Sequence, residues 1–402
     1  MRNVPRLRFK EFTDEWEEKR LGNYLIEFKE KIPYTTNLPK LTSSRKGLLF
    51  QKDYYDNREV KTETEYGLLP RGYFTYRHMS DDLIFKFNIN DLVDNGAISK
   101  EYPVFTTKNF DSRFLYYLLN YGDDFKKFAI EQKQGGTRTR LYFKKLITFS
   151  PKAPILNEQN KIGKFIFNID KKISIAEEKL GLFNEYKKGI MQKIFNQELR
   201  FKDENGNDYP EWEEKELKEL LESVVDNRGK TPPNLEDNTL IPLLEINSIG
   251  EREIKYEKVT KFVTEETYNT WFRNYIVKDD ILFSTVGATA LCSMYRDEKK
   301  SVIAQNLVGL RVKENYVPDY IYSLLVETKN NLKFKSIEMV AVQPSIKVSQ
   351  MINLKFKISV SYEEQQKIAD FLSSIDTKIE KISDELENLK EFKKGLLQQM
   401  FV

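Results

Sequence analysis

The 402-residue sequence holds one cysteine and one histidine. A lone Cys292 forms no internal disulfide and belongs by residue type in a core rather than at a nucleophile's post. One histidine and one cysteine are too few for a zinc site of the usual kind. A Ser-His-Asp arrangement has only His78 to draw on, and no Gly-x-Ser-x-Gly elbow accompanies it. Long apolar runs are missing as well. No stretch approaches the roughly 18 consecutive apolar residues of a membrane helix. The opening Met1-Arg2-Asn3-Val4-Pro5-Arg6 lacks a signal peptide's apolar segment, so the cytoplasm is the expected compartment. Charge of one sign is also lacking: 65 Lys and Arg stand against 62 Asp and Glu, a net +3. A nucleic-acid function must therefore rest on local charge. No Gly-x-Gly-x-x-Gly and no Asp/Asn-Pro-Pro-Tyr methyltransferase motif occurs. Gly229-Lys230-Thr231 ends like a P-loop, but that pattern needs glycine where Val224 stands and a helix where Pro232-Pro233 follow.

What the chain does have is an internal repeat. A chain of this length calls for two or more domains. Residues 158–195 and 364–401 align without a gap, and 16 of 38 positions are identical. Glu158-Gln159-Asn160-Lys161-Ile162 answers Glu364-Gln365-Gln366-Lys367-Ile368. Further landmarks recur in the same order. Leu7-Arg8-Phe9-Lys10 returns as Leu199-Arg200-Phe201-Lys202, and Glu15-Trp16 as Glu211-Trp212. Asp81-Asp82-Leu83-Ile84-Phe85 resembles Asp279-Asp280-Ile281-Leu282-Phe283. Phe114 to Leu119 resembles Tyr320 to Leu325. Each half is a variable body followed by a similar tail.

The tails carry a heptad seam. Ile162, Ile166, Ile169, Ile173, Ala176, Leu180, Phe183, Ile190 and Ile194 line the first. Ile368, Leu372, Ile375, Ile379, Ile382, Leu386, Leu389, Leu396 and Met400 line the second. One slot in each is skipped, at Lys187 and Lys393. Apolar residues at alternating steps of four and three, with polar residues between, predict long helices that pack on each other. Thirty-eight residues at about 1.5 Å each make a rod of about 57 Å. Ser361-Tyr362-Glu363-Glu364 reads as a capping box, and Pro154 stands ahead of the first helix. The expected class is α+β. Two globular mixed α/β domains are separated by two long helices packed as an antiparallel coiled coil, with pseudo-two-fold internal symmetry. The segments are 1–153, a helix 154–198, 199–357 and a helix 358–402. Leu83 to Phe87, Ile281 to Ser284 and Leu307 to Val312 read as strands. Asp111 caps a helix through Leu119, and Pro318-Asp319 start its counterpart.

Local charge points to DNA. Residues 126–152 hold Lys126, Lys127, Lys133, Arg138, Arg140, Lys144, Lys145 and Lys152 against Glu131 alone. Gln132, Gln134, Gly135, Gly136, Thr137 and Tyr142 are interleaved. The matching window 332–358 holds Lys333, Lys335, Lys347, Lys355 and Lys357 against Glu338, with Gln343, Ser345 and Gln350. Basic residues neutralise phosphates, and Gln, Asn and Arg pair with base edges in the major groove. The bland alternative is a solvated basic loop. Lys133, Gln134, Arg138, Arg140, Gln343, Ser345 and Lys347 are the candidate DNA contacts. Two other classes stay open on the residues alone: a coiled-coil scaffold that binds only proteins, and a DNA enzyme with a divergent active site.

The duplicated Glu-Gln-x-Lys-Ile openings, the heptad tails and the repeated Asp-Ile/Leu-Leu/Ile-Phe segment resemble the specificity subunit of type I restriction–modification enzymes. Gly229-Lys230-Thr231-Pro232 with Ile241-Pro242 is similar to the opening of that family's target-recognition domain, which adds Asn227, Arg228 and Lys230 to the candidates. The first half has Glu30-Lys31-Ile32-Pro33 there instead. The resemblance implies two target-recognition domains, each reading half of a bipartite double-stranded DNA site. It implies helices that set the gap between half-sites and dock two modification (methyltransferase) subunits, with restriction (translocase and nuclease) subunits joining that core. Ile162, Ile169, Ile173, Leu180, Ile368, Ile375, Ile379 and Leu386 are then the coiled-coil and partner residues. The chain itself carries neither a catalytic site nor a cofactor on this reading. S-adenosylmethionine, ATP and magnesium belong to the partners.

Overall fold

The computed structural model of the chain describes residues 4–56, 65–133, 138–227, 229, 231–339 and 342–401. The chain divides into two compact units: residues 1–177 with 384–402, and residues 178–383. Each unit therefore takes a piece of both long helices, Leu156–Phe195 and Tyr362–Met400. No helix among the described residues is long and apolar enough to cross a membrane.

Each unit is built on a four-stranded antiparallel sheet. In the first the order is Leu25–Phe28, Val104–Thr107, Phe74–Tyr76, Phe87–Ile89. In the second it is Leu221–Val225, Leu307–Val312, Ile281–Ser284, Cys292–Met294. The chain order of the strands is the same in both. A three-stranded sheet accompanies each: Asn95–Ser99, Tyr66–Pro70 and Lys31–Ile32 in the first, Phe262–Val263, Ile241–Leu244 and Val302–Ile303 in the second.

The strands at 281–284 and 307–312 fall where the sequence puts them. The segment 83–87 does not. Leu83 has a left-handed backbone (φ 66°), and only Phe87 enters a strand. The true counterpart of Ile281–Ser284 is Phe74–Tyr76. In the first unit Gly72 N–H donates to Asn90 O (2.8 Å) and Asn90 N–H to Tyr73 O (2.9 Å). In the second Asp279 N–H donates to Tyr295 O (2.7 Å) and Tyr295 N–H to Asp280 O (2.9 Å). Gly72 and Asp279 both take positive φ, 81° and 71°. The equivalence is carried by that turn geometry. The Asp-Asp-plus-apolar likeness of 81–85 to 279–283 is a coincidence of composition.

The helix after the last sheet strand is Ser112–Tyr121 in the first unit and Pro318–Val326 in the second. The Asp111 side chain caps the former by accepting from Phe114 N–H (2.7 Å). The repeated glutamines lock both junctions. Gln159 Oε1 accepts from Asp111 N–H and Gln365 Oε1 from Val317 N–H, each at 3.0 Å. Their amide nitrogens donate to Pro154 O (2.8 Å) and Ser359 O (2.9 Å).

The repeated Arg, Trp and Glu landmarks converge as well. Glu158 is fully buried and receives both arms of Arg8 at 2.7 Å, with Trp16 Nε1 at 3.4 Å. Glu364, also fully buried, receives Trp212 Nε1 at 3.0 Å and Ser359 Oγ at 2.6 Å, with Arg200 at 3.4 Å. The expected capping box is thus half formed. Ser361 Oγ accepts from Glu364 N–H (3.2 Å), but the Glu364 carboxylate turns inward to Trp212 rather than back to the helix start.

Within each unit the two long helices run antiparallel. In the first unit Asp170 pairs with Lys393 (2.6 Å) and Glu177 with Lys390 (2.7 Å), so one helix ascends as the other descends. Ile162 and Ile169 are buried and Ile173 partly so, in a core shared with Leu396, Met400 and Phe401. In the second unit Lys187 meets Asp376 (2.5 Å). Ile368 and Ile375 are buried there with Met191, Ile194 and Phe195, and Ile379 packs against them. Leu386 is buried and Leu180 half-buried. The lysines of the skipped heptad slots are therefore the cross-helix ion-pair partners.

Candidate nucleic-acid interface

In the first unit a short two-stranded ribbon pairs Met79–Ser80 with Thr139–Arg140, and Leu141 N–H extends it by donating to His78 O (2.8 Å). Alternation along a strand sends successive side chains to opposite faces. His78, Ser80, Thr139 and Leu141 point inward and are buried. Arg77, Arg138, Arg140 and Tyr142 point outward and are exposed. Arg138 is tied to Asp81 across solvent at 2.9 Å. Arg140 has no ionic partner among the described residues. Lys144 and Lys145 stand exposed on the next turn of helix, Phe143–Leu146, whose Phe143 and Leu146 anchor it in the core. Lys133 is exposed at the end of the helix before the ribbon. A two-stranded ribbon fits the major groove, and this one presents cations and an aromatic ring on one side.

His78 stacks on Tyr142 with ring centroids 5.3 Å apart. Burial pushes its pKa below the ordinary histidine value, and the nearby Arg77 and Arg140 add to that. It is neutral at neutral pH and braces the ribbon from beneath. Cys292 lies in a strand at 2 % exposure, where burial pushes its thiol pKa up. The chain's one imidazole and one thiol are thus both core groups. No group of three His, Cys, Asp or Glu among the described residues is placed to hold a metal ion.

The second unit does not repeat the ribbon's surface. Lys355 and Lys357 lie opposite Glu216 and Glu214 across an antiparallel pair. Lys333 Nζ donates to Lys355 O (2.7 Å), and Lys335 is held by Glu338 (3.0 Å) and Thr289 (2.7 Å). Two of the window's five lysines, Lys333 and Lys335, are internally committed, whereas Lys355 and Lys357 remain exposed. Lys347 is exposed at the start of the helix Val348–Met351. Ser345 is half-buried, bridged to Met339 and Val286. Asn227 spends its amide on the backbone of Arg273 and Asn274. Gln134, Arg228 and Lys230 lie outside the described residues.

What gathers in the second unit is a concavity of about 540 Å³, walled in part by Pro232, Ile246, Lys261, Gln305, Asn306 and Gln343. Of these, the sequence marks only Gln343 as a DNA contact. Arg77 of the first unit was also missed, although the alternation of residues 77–80 against 138–142 carries the signal. Lys261, Gln305 and Asn306 carry none, because they reach the concavity from separate strands and turns.

The model of the type I restriction modification DNA specificity domain matches this chain twice, over residues 14–181 and 209–391. The chain belongs to the type I restriction–modification specificity family. Each match covers a body and the larger part of the tail helix that follows it. The chain is 25% identical to the type I restriction enzyme MjaVIII specificity subunit of Methanocaldococcus jannaschii, over 75% of this chain and 72% of that one. Its fold is similar to that of the type I restriction–modification S subunit from M. genitalium, with a TM-score of 0.62, 14% identity and 99% of both chains covered. A structure describing complex assembly and conformational transition of the type I system gives a TM-score of 0.52 at 12% identity, covering 96% of this chain and 97% of that one. As members of this specificity family, the two bodies are target-recognition domains.

Proposed function

We propose that this chain is the non-catalytic, sequence-reading subunit of a type I restriction–modification complex, and that each unit reads one half of a bipartite duplex site. One observation carries the reading. The same sheet, helix junction and buried Arg–Glu–Trp cluster are built twice, yet the surfaces mounted on the two frames differ. The first offers arginines and an aromatic ring on a ribbon; the second offers amides around a concavity. Like frames with unlike surfaces suit a DNA site with two unlike halves. The paired helices set the unread gap between those halves.

The helices also dock the modification subunits, with restriction subunits joining outside them. Exposed apolar side chains on the helices support this: Phe167, Ile175 and Phe392 in the first unit, Leu182 and Tyr186 in the second. Apolar side chains that gather into a contiguous surface patch mark a site of protein contact. On this proposal S-adenosylmethionine, ATP and magnesium belong to those partners. The burial of His78 and Cys292 accords with a chain that reads and does not react.

The test is selection from a pool of random duplex DNA by the chain assembled with its modification subunits. The expected product is two unlike specified blocks separated by a gap of fixed length. A continuous or palindromic site, or no enrichment, would contradict the proposal.

A further inference from the structure

The concavity of the second unit is neutral where the ribbon is basic, and this decides what it can hold. Among the described residues its one lining cation, Lys261, is paired with Glu245 at 2.9 Å. A phosphate would find no uncommitted positive charge among the described residues of the lining. Its walls are apolar at Pro232, Leu243, Ile246, Val286 and Ala304, and its remaining polar side chains include the amides of Gln305, Asn306 and Gln343.

These amides sit on a fixed frame. Thr285 N–H donates to Asn306 O (2.9 Å), and on its other side Ile346 N–H donates to Thr285 O (2.8 Å). Gly287 N–H donates to Pro344 O (2.9 Å), and Val286 bridges Ser345. The segment Thr285 to Gly287 is thus stitched to both neighbours, and Gln305–Asn306 and Gln343 flank it. The three amides are also unspent. Asn306 Oδ1 is shut off from solvent with no donor among the described residues. Neither Gln305 nor Gln343 gives its amide to another described residue. A native protein seldom leaves a buried acceptor unmet without a use for it.

Resting on the reading proposed above, we infer that Asn306 and Gln343 are specificity-determining residues of the second unit, with Gln305 beside them, and that they recognise an adenine edge in the major groove. A carboxamide offers one acceptor and one donor side by side. Adenine presents the complementary N6 amino group and N7 acceptor, and the pairing is bidentate. The apolar wall fits the methyl group of the thymine on the other strand. Because Asn306 Oδ1 is closed to solvent as described, the amide must turn about its last bond before that oxygen can meet a base.

The experiment repeats the random-duplex selection on the assembled complex, with wild type, Asn306→Ala and Gln343→Ala. Each variant is expected to lose discrimination at one or two base pairs of a single half-site by about 5- to 150-fold, the range for one bidentate pair. The other half-site and the gap stay as in wild type. Replacing adenine by 7-deazaadenine at the relaxed position should weaken wild type by a similar factor and leave the matching variant unaffected. A structural role would not produce that selectivity. Variants that keep the wild-type consensus, or that weaken every duplex equally, overturn this assignment while leaving the bipartite reading intact. A wild-type complex that enriches no sequence overturns that reading, and this assignment with it.

Discussion

Glu158 shows how a buried charge can be carried. It is closed to solvent, and it is tolerated because Arg8 meets it with two parallel bonds and Trp16 adds a third donor. Removing one partner of such a pair strands the other without its counter-charge, at a cost of about 3–5 kcal/mol. Glu158→Ala is therefore expected to lower the unfolding midpoint of the chain strongly in a thermal melt. Replacing both members with apolar side chains, Glu158→Leu with Arg8→Met, is expected to restore much of the loss, since neither charge is then left unpaired. A melt unchanged in the single variant would mean that Arg8 and Glu158 do not pair in solution. The sequence displays Arg8, Trp16 and Glu158 as repeated landmarks. It does not display that they touch, because some 140 to 150 residues separate them along the chain. For the same reason the amides at 305, 306 and 343 were partly invisible, while the local run of basic residues around 138–145 was plain.

Among the elements, the long helices were the most legible, since a heptad pattern declares both helix and partner face. Leu156–Phe195 and Tyr362–Met400 fall within a few residues of the expected bounds. Helix one stops where Gln197 turns left-handed (φ 61°), and Glu198 and Leu199 N–H both reach Lys193 O. What periodicity left blank was the purpose of the skipped slots. Lys393 is held by Asp170, which also accepts from Tyr117 O–H at 2.6 Å. Lys187 is held by Asp376, which also accepts from Arg252 at 3.1 Å. Polar residues in a seam fix register at some expense of stability. Lys393→Asp sets two carboxylates against each other and is expected to destabilise the chain by about 1–2 kcal/mol, between the values for exposed and buried pairs. Adding Asp170→Lys should recover part of that in a double-mutant cycle, and not all, because Tyr117 loses its acceptor. Additive effects of the two changes would remove the pair from the account. Short strands were less legible. Residues 83–87 have a strand's composition, but the turns at Gly72 and Asp279 set the register and no propensity reveals them.

At the scale of the whole molecule, the duplication builds the same joint twice. Leu199 N–H closes the end of the first long helix on Lys193 O at 3.1 Å, and Leu7 N–H makes the equivalent bond to Gln399 O at 2.9 Å. A permutant that links residue 402 to residue 1 and opens the chain between 196 and 199 is expected to fold and to melt as one that keeps every core contact. An insoluble product would mean that the two joints are not interchangeable. The central claim is that unlike surfaces on like frames read unlike halves of one site. Its most direct measurement is the consensus that the assembled complex selects from random duplexes when the chain carries Arg138→Ala and Arg140→Ala together. The expected result is that one half-site relaxes, with a loss of roughly 1–3 kcal/mol at each base contact removed, while the gap and the other half-site match wild type. Equal erosion of both half-sites, or an unchanged consensus at several salt concentrations, would contradict it.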